Sequence, residues 1–319
     1  MAQARVLFLG TLPPPLGGVS VYCKRRISQA LQAGVICELF DTKLKLSLIR
    51  LIVRSHLLAL SNQQFEIEVN TSNPIAIRAL HYFGLSRFCT FIDHNGSRRF
   101  KSKLETSLLR KFATDCRRVR IVNQDLFETY RRIGLNDFAN FEVFSPYIPP
   151  TEGEVRDARE QYAFAYRGLV DEVSSRTIVL TSAWKVSHPD VYGLLDCIDI
   201  YSKLAPNFRH VKFVLMVGEY AKSEFADEVR LRVESLALKQ PNVICINGGV
   251  PQWPLLPNVV VFLRLTTTDG DSVSVREALE QGCKVVATDV CTRPAGVYLT
   301  KSGDKDASIR LLTDLLSNN

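Results

Sequence analysis

Two carboxylates, Asp269 and Glu277, frame a stretch whose residue types and spacing suit the binding of an anion. Between them Gly270, Asp271, Ser272 and Val273 lead from an apolar run into a helical pattern with Ser272 as its expected N-cap. The first N–H groups of a helix lack partners within it and carry the positive end of its dipole. A glycine just ahead of them removes the side chain that would block close approach. The expected result is a phosphate cradle. Asp269 precedes the helix and Glu277 lies about a turn and a half inside it. Each carboxylate can accept hydrogen bonds from hydroxyls, one on either side of the anion. That arrangement suits a diphosphate with a sugar at each end, as in a nucleotide sugar.

Such a cradle needs a strand to deliver it and a helix to receive it. "VVVFLRL" supplies the strand and "SVSVREALEQG" the helix, and the strand "KVVATD" follows. The same alternation recurs along the chain. "RVLFLG" is a strand, "TLPPPLGG" a turn that prolines keep out of a helix, and the helical pattern from Val19 leads to the strand "ICELFD". This βαβ order implies a parallel sheet. "FEIEVN", "FCTFID", "VRIVNQ" and "FEVF" continue the strands, with helices over "NPIAIRALHYFG" and "QDLFETYRRIG". After a charged bridge over 151–176, a second series begins with "TIVLTSAW", "KFVLMVG" and "NVICING", separated by helices over 191–203 and 223–238. The expected fold class is α/β, with two Rossmann-like doubly wound domains facing a cleft, over residues 1–165 and 166–319. In such sheets ligands bind beyond the carboxyl ends of the strands.

The segment "RLTTTDGDSVSVREAL" resembles the E-x7-E region of retaining GT-B-fold glycosyltransferases of family 4 (glycosyl transferases group 1). "FLGTLPPPLGGVSVY" is similar to that family's glycine loop, "TFIDHNGS" to its strand-end histidine motif and "FVLMVG" to its second-domain strand. The resemblance implies a nucleotide-sugar-binding second domain and an acceptor-binding first domain. Glu277 would bind the donor ribose, and Asp269 would contact hydroxyls of the transferred sugar. The family's usual residue at Asp269 is Glu, one methylene longer. Gly270, Asp271, Ser272 and Val273 would offer backbone N–H groups to sugar or diphosphate, Gly17 and Gly18 would approach the diphosphate, and His94 would sit beside the reacting sugar. The family's Arg and Lys on the diphosphate fall in a region that here reads "TSAWKVSHPDVYGLLD", where Lys185 is the basic residue. Arg264, at the end of the preceding strand, is the second expected cation. The implied activity is retaining, metal-independent transfer from a UDP- or GDP-linked sugar, with no cofactor, to a glycan or lipid-linked glycan acceptor. "DGD" holds two acids but lies against a helix start, which attracts anions in preference to magnesium.

Bulk properties bound these readings. The chain has 319 residues, 46% hydrophobic and 23% charged, as in a globular protein. No leader, membrane span or C-x-x-C pair is apparent, and the eight scattered cysteines read as reduced core thiols of a cytoplasmic protein. The net charge of +7 is uneven: residues 1–150 carry 21 basic and 11 acidic side chains. A basic half can face phosphates or an anionic membrane surface. "KLKLSLIRLIVRSHLLAL" either packs within the first domain or forms a basic amphipathic surface that receives a lipid-linked acceptor at a membrane, with the protein then peripheral at the inner membrane face. The clusters Arg98-Arg99, Lys101 to Lys103, Arg110-Lys111 and Arg117 to Arg120 lie in the same half. Nucleic acid is not an expected partner, because aromatics do not interleave with these clusters. "GTLPPPLGG" lacks the G-x-G-x-x-G spacing of a dinucleotide fold. Ordinary readings stand beside the chemical ones: Asp269 and Asp271 as loop and cap residues, Glu277 as a helix-surface partner of Arg276 or Lys284, and His94 as a loop residue. The competing function is a non-catalytic nucleotide-sugar or glycan-binding protein of the same fold.

Overall fold

A computed structural model describes residues 3–14, 16–94, 102–170 and 176–318. The chain divides into two units, Met1–Ile148 and Pro149–Asn319. The first runs β1 (Arg5–Gly10), α1 (Gly18–Gln32), β2 (Ile36–Asp41), α2 (Ser47–Leu60), β3 (Glu66–Val69), α3 (Pro74–Tyr82), β4 (Cys89–Asp93), α4 (Lys103–Asp115), β5 (Arg118–Ile121), α5 (Asp125–Arg132) and β6 (Phe141–Val143). The second runs α6 (Glu152–Gln161), β7 (Ile178–Val186), α7 (Leu194–Leu204), β8 (Lys212–Tyr220), α8 (Glu224–Lys239), β9 (Val243–Asn247), β10 (Val259–Arg264), α9 (Val273–Glu280), β11 (Lys284–Thr288), β12 (Val297–Thr300) and α10 (Lys305–Ser317).

Each unit holds one six-stranded, all-parallel sheet, so the α/β class expected from the alternation stands. The first orders its strands β2-β1-β3-β4-β5-β6 and the second β12-β11-β10-β7-β8-β9. Strand order reverses between β1 and β3 in the first and between β7 and β10 in the second. These reversals open the crevices in which doubly wound sheets take ligands. Sheets covered on both faces need strands apolar on both sides. Leu7, Phe8 and Leu9 of β1, and Val259 to Leu263 of β10, are all buried.

Local punctuation follows the sequence. Asn73 caps α3, its Oδ1 accepting from the Ile75 N–H at 2.9 Å, and Pro74 fills the first helical position. Gly193 opens α7 at φ +63°, and a Cβ there would lie 2.0 Å from the Leu265 carbonyl oxygen. Only glycine lets α7 start this close to the chain leaving β10.

Three elements depart from the expected list. Helix α4 lies where the sequence reads as basic clusters, and β12 and α10 follow the last expected strand. Helix α10 buries Leu312, Leu315 and Leu316 in the second unit's own core. The break between units falls at 148/149, earlier than the expected 165/166. Tyr166 donates its hydroxyl to the Pro251 carbonyl at 2.7 Å and Lys212 donates to the Gly168 carbonyl, so the bridge is anchored to the second unit. All eight cysteines are free, five of them buried. Among the described residues, no helix is long and apolar enough to cross a membrane.

Candidate functional site

In the second unit the expected residues gather at the carboxyl end of β10, beside the reversal of strand order. Arg264 ends β10 and turns back over Asp269: its Nε donates to Oδ2 at 3.0 Å and its Nη2 to Oδ1 at 3.3 Å. Its guanidinium also lies 5.3 Å from the Tyr192 ring centre. A second arginine completes the cluster. Arg293 Nη1 donates to Asp269 Oδ2 at 2.8 Å, Nη2 to the Thr266 hydroxyl at 3.1 Å and Nε to the Thr288 carbonyl at 3.0 Å. Asp269 also accepts from the Thr266 hydroxyl at 3.3 Å and from the Gly270 N–H at 3.1 Å. Its side chain is 11% exposed, and those of Arg264 and Arg293 are 13% and 2% exposed. Burial alone would raise the Asp269 pKa, but the two guanidiniums outweigh it and hold the carboxyl below its ordinary range. The resemblance implies a carboxylate turned toward sugar hydroxyls, whereas here the group is engaged within the protein. Two cations share one anion, so the cluster carries a buried excess of one positive charge.

The start of α9 adjoins this cluster. Ser272 is its N-cap, as expected, but makes no capping bond to the backbone; its hydroxyl pairs with that of Ser274 at 2.9 Å. The Ser272 side chain therefore leaves the N–H groups of the first turn, beginning at Val273, uncapped, and among the described residues no other side chain accepts from them. Asp271 is tied to Arg276 Nε at 2.6 and 2.7 Å. Glu277 is 4% exposed, so its side chain lies in the interior and not on the helix surface. It accepts from Gln252 Nε2 at 3.0 Å, while Gln252 Oε1 accepts from the Ser182 hydroxyl at 2.6 Å. Ser182 lies on β7, so this chain of hydrogen bonds joins β7 to α9. Lys185 is drawn elsewhere: it is half exposed and donates to Glu219 on β8 at 2.7 Å.

The remaining expected residues belong to the first unit. Gly17 is the N-cap of α1 and Gly18 its first residue; a Cβ at Gly17 would meet nothing within 4 Å. His94 follows β4, and its Nε2 lies 2.9 Å from Asn70 Oδ1. Its ring meets Tyr22 of α1 edge-on, 5.2 Å between centres. Burial lowers its pKa to about 4, against the raising effect of Asp93, so the ring is neutral at physiological pH. Asp93 is fully buried and accepts from the Tyr130 hydroxyl at 2.8 Å. Asn95 to Ser97 of "TFIDHNGS", and Arg98, Arg99 and Lys101 of the basic cluster, lie outside the described residues.

Arg293, Gln252, Ser182 and Asn70 escaped the sequence reading. Each reaches its partner from 24 or 25 residues away, or from 70 in the case of Ser182 and Gln252. A hint existed for Asn70 in "FEIEVN", where polar residues alternate with apolar ones inside a strand. Among the described residues, no group of three or more His, Cys, Asp or Glu side chains is placed to hold a metal ion.

No family model and no curated protein matches this sequence. Solved structures do resemble it. A structure of Anabaena HepE in complex with UDP-glucose matches 98% of this chain and 90% of its own at 15% identity, with a TM-score of 0.67. An α,α-trehalose-phosphate synthase (UDP-forming) from Burkholderia vietnamiensis covers 100% and 90% at 12% identity and a TM-score of 0.66. A TarM variant from S. aureus, in complex with Fondaparinux, alpha-GlcNAc-glycerol and UDP, covers 80% of this chain and 48% of its own at 13% identity and a TM-score of 0.59. At these identities the likeness establishes the fold, that of GT-B glycosyltransferases.

Proposed function

We propose that this protein is a glycosyltransferase that moves a sugar from a UDP- or GDP-linked donor to a glycan or glycolipid acceptor, with retention of configuration and without a metal ion. The observation that carries the reading is the cluster at the end of β10. Two largely buried arginine side chains share one carboxylate beside the start of α9, where Ser272 makes no capping bond. Such an arrangement attracts an anion of higher charge, and a diphosphate fits. The HepE and TarM structures, which hold UDP or UDP-glucose, support the choice of ligand.

The mechanism follows from charge. Cleavage of the sugar–phosphate bond builds positive character at the anomeric carbon and negative charge on the departing nucleoside diphosphate. The α9 N–H groups from Val273 onward and the Arg264–Arg293 pair stabilise that growing anion, already aligned before the reaction. Glu277 accepts from the donor ribose. The leaving phosphate takes the acceptor proton on the same face, so the reaction needs no protein nucleophile. Transfer assays with a panel of nucleotide sugars in EDTA, with the anomeric configuration of product read by NMR, test this directly. Inverted product, or turnover only with added magnesium, overturns the corresponding clause.

A second reading, nucleotide-sugar binding without catalysis, draws on two observations: Lys185 is paired with Glu219, and the Asp269 carboxylate is occupied. Saturable binding without turnover across the panel would favour it.

The acceptor side of the proposal places the protein in the cytoplasm, seated peripherally on the inner membrane face. Helix α2 supports this. It buries Ser47, Leu51, Ser55 and Leu58, yet also exposes Ile49, Val53, Leu57 and Leu60. The helix carries no acidic residue, and Lys43, Lys45 and Arg50 beside its outer stripe are exposed. An exposed apolar stripe flanked by cations complements an anionic bilayer surface. Sedimentation with anionic vesicles should fall at least about tenfold in Val53→Glu/Leu57→Glu, the change expected from two apolar contacts replaced by repelled charges. Equal binding of both proteins removes α2 from the membrane reading.

A further inference from the structure

The first unit buries a carboxylate that neither the motif nor the proposed mechanism uses. Glu68 lies on β3, between β1 and β4, and is 1% exposed. Burial pushes its pKa up, while Arg26 and Asn70 work against that rise. A buried carboxylate of this kind persists when its oxygens are filled by donors. Three are present. The Tyr22 hydroxyl reaches Oε1 at 3.4 Å, Asn70 Nδ2 reaches Oε1 at 3.1 Å, and Arg26 Nε reaches Oε2 at 3.2 Å. Tyr22 and Arg26 come from α1, the helix that opens at Gly17 and Gly18, and Asn70 directly follows the strand that holds Glu68.

The hydrogen-bond inventory then dictates direction. With Arg26 as counter-ion, Glu68 is an acceptor only. Asn70, 4% exposed, must turn its amino group to Glu68, so its carbonyl oxygen faces His94. An amide oxygen cannot donate, so the ring nitrogen 2.9 Å away, Nε2, must carry a hydrogen. A neutral imidazole has a single N–H, which leaves Nδ1 with its lone pair. Among the described residues, Nδ1 makes no hydrogen bond.

We propose that Glu68 and Asn70 are positioning residues that hold His94 as the Nε2–H tautomer, leaving Nδ1 to accept a hydrogen bond from a hydroxyl of the bound sugar or acceptor. The tautomer follows from the network alone; only what Nδ1 does rests on the transferase reading. The edge-on contact with Tyr22 fixes the plane of the ring, and Tyr22 itself is tied to Glu68, so one carboxylate sets both the orientation and the proton position. Histidines that act on hydroxyls elsewhere depend on a third group in the same way.

The test is nitrogen NMR of the protein labelled at its five histidines, with His94 assigned by loss of its signals in His94→Gln. At a pH well above the ordinary histidine range, wild type should show Nε2 protonated and Nδ1 bare. A protonated Nδ1 in wild type overturns the inference without any variant. Asn70→Leu should give mixed tautomers and lower kcat about tenfold, with KM for the donor little changed. The pair Glu68→Gln/Asn70→Asp again presents an acceptor to Nε2 and should restore the single tautomer. If Asn70→Leu keeps one Nε2–H tautomer, the relay does not control the ring. Thermal shift with UDP-sugars on the same samples separates the two claims: an intact tautomer with no donor binding overturns the transferase reading and leaves the relay standing.

Discussion

Asp269→Asn is the perturbation that separates the role the resemblance implies from the role the structure gives this residue. If Asp269 serves the sugar, its loss harms turnover and spares the fold. If it serves Arg264 and Arg293, its loss leaves two buried guanidiniums without a carboxylate. The contacts are 3.0 and 2.8 Å, and among the described residues neither arginine has another acidic partner. At an effective dielectric of ~20, each guanidinium attracts the carboxylate by about 4 kcal/mol across ~4 Å. Part of this is offset by the desolvation already spent, and breaking one partner out of a buried pair costs about 3–5 kcal/mol. A domain is stable by ~5–15 kcal/mol in total, so the effect is large. Both tryptophans, Trp184 and Trp253, belong to the second unit, so their fluorescence follows its unfolding apart from the first. The urea midpoint by tryptophan fluorescence should fall by roughly 1–3 M. Because the Asp269 carboxyl is held below its ordinary range, its contribution is present above about pH 4 and lost as pH falls through its folded value. Wild type should lose stability over that acid window, and Asp269→Asn should lack that part of the slope. A variant within ~1 kcal/mol of wild type at neutral pH would refute the counter-ion role.

Other substitutions probe separate links. Gly193→Ala places a Cβ 2.0 Å from the Leu265 carbonyl in a left-handed residue; a loss of about 3 kcal/mol or more is expected by the same fluorescence assay. Asn73→Ala removes the side-chain cap of α3 and should cost about 1 kcal/mol of first-unit stability, read by circular dichroism on chemical denaturation. Lys185→Ala breaks a half-exposed pair with Glu219 and should change stability by no more than ~1 kcal/mol. The same variant, titrated with UDP, measures whether this lysine reaches the diphosphate once a donor is bound.

The parallel sheets were legible because strands covered on both faces read as apolar runs, and "RVLFLG" and "VVVFLRL" could hardly sit elsewhere. Strand β12 was not, since Tyr298 and Leu299 are exposed and four residues at a sheet edge carry little signal. Helix α4 was hidden by its charges, although Leu109, Phe112 and Ala113 mark one buried face. At the site, Arg264 and Glu277 were readable because strand, loop and helix are contiguous in sequence. Arg293 was not, because it arrives from the loop after β11 and its pairing with Asp269 exists only once β10 and β11 lie side by side. The Glu68–Asn70–His94 chain likewise depends on β3 and β4 being neighbours, a fact of sheet order that no local pattern holds.

The most direct measurement is calorimetric titration of the intact protein with UDP, GDP and their sugars in EDTA. One saturable site is expected, with inorganic diphosphate competing and Arg264→Ala weakening the affinity about tenfold or more, as loss of a charge-assisted contact requires. Absence of binding by every nucleotide in the panel, or binding that inorganic diphosphate leaves untouched, would contradict a diphosphate held between α9 and the paired arginines.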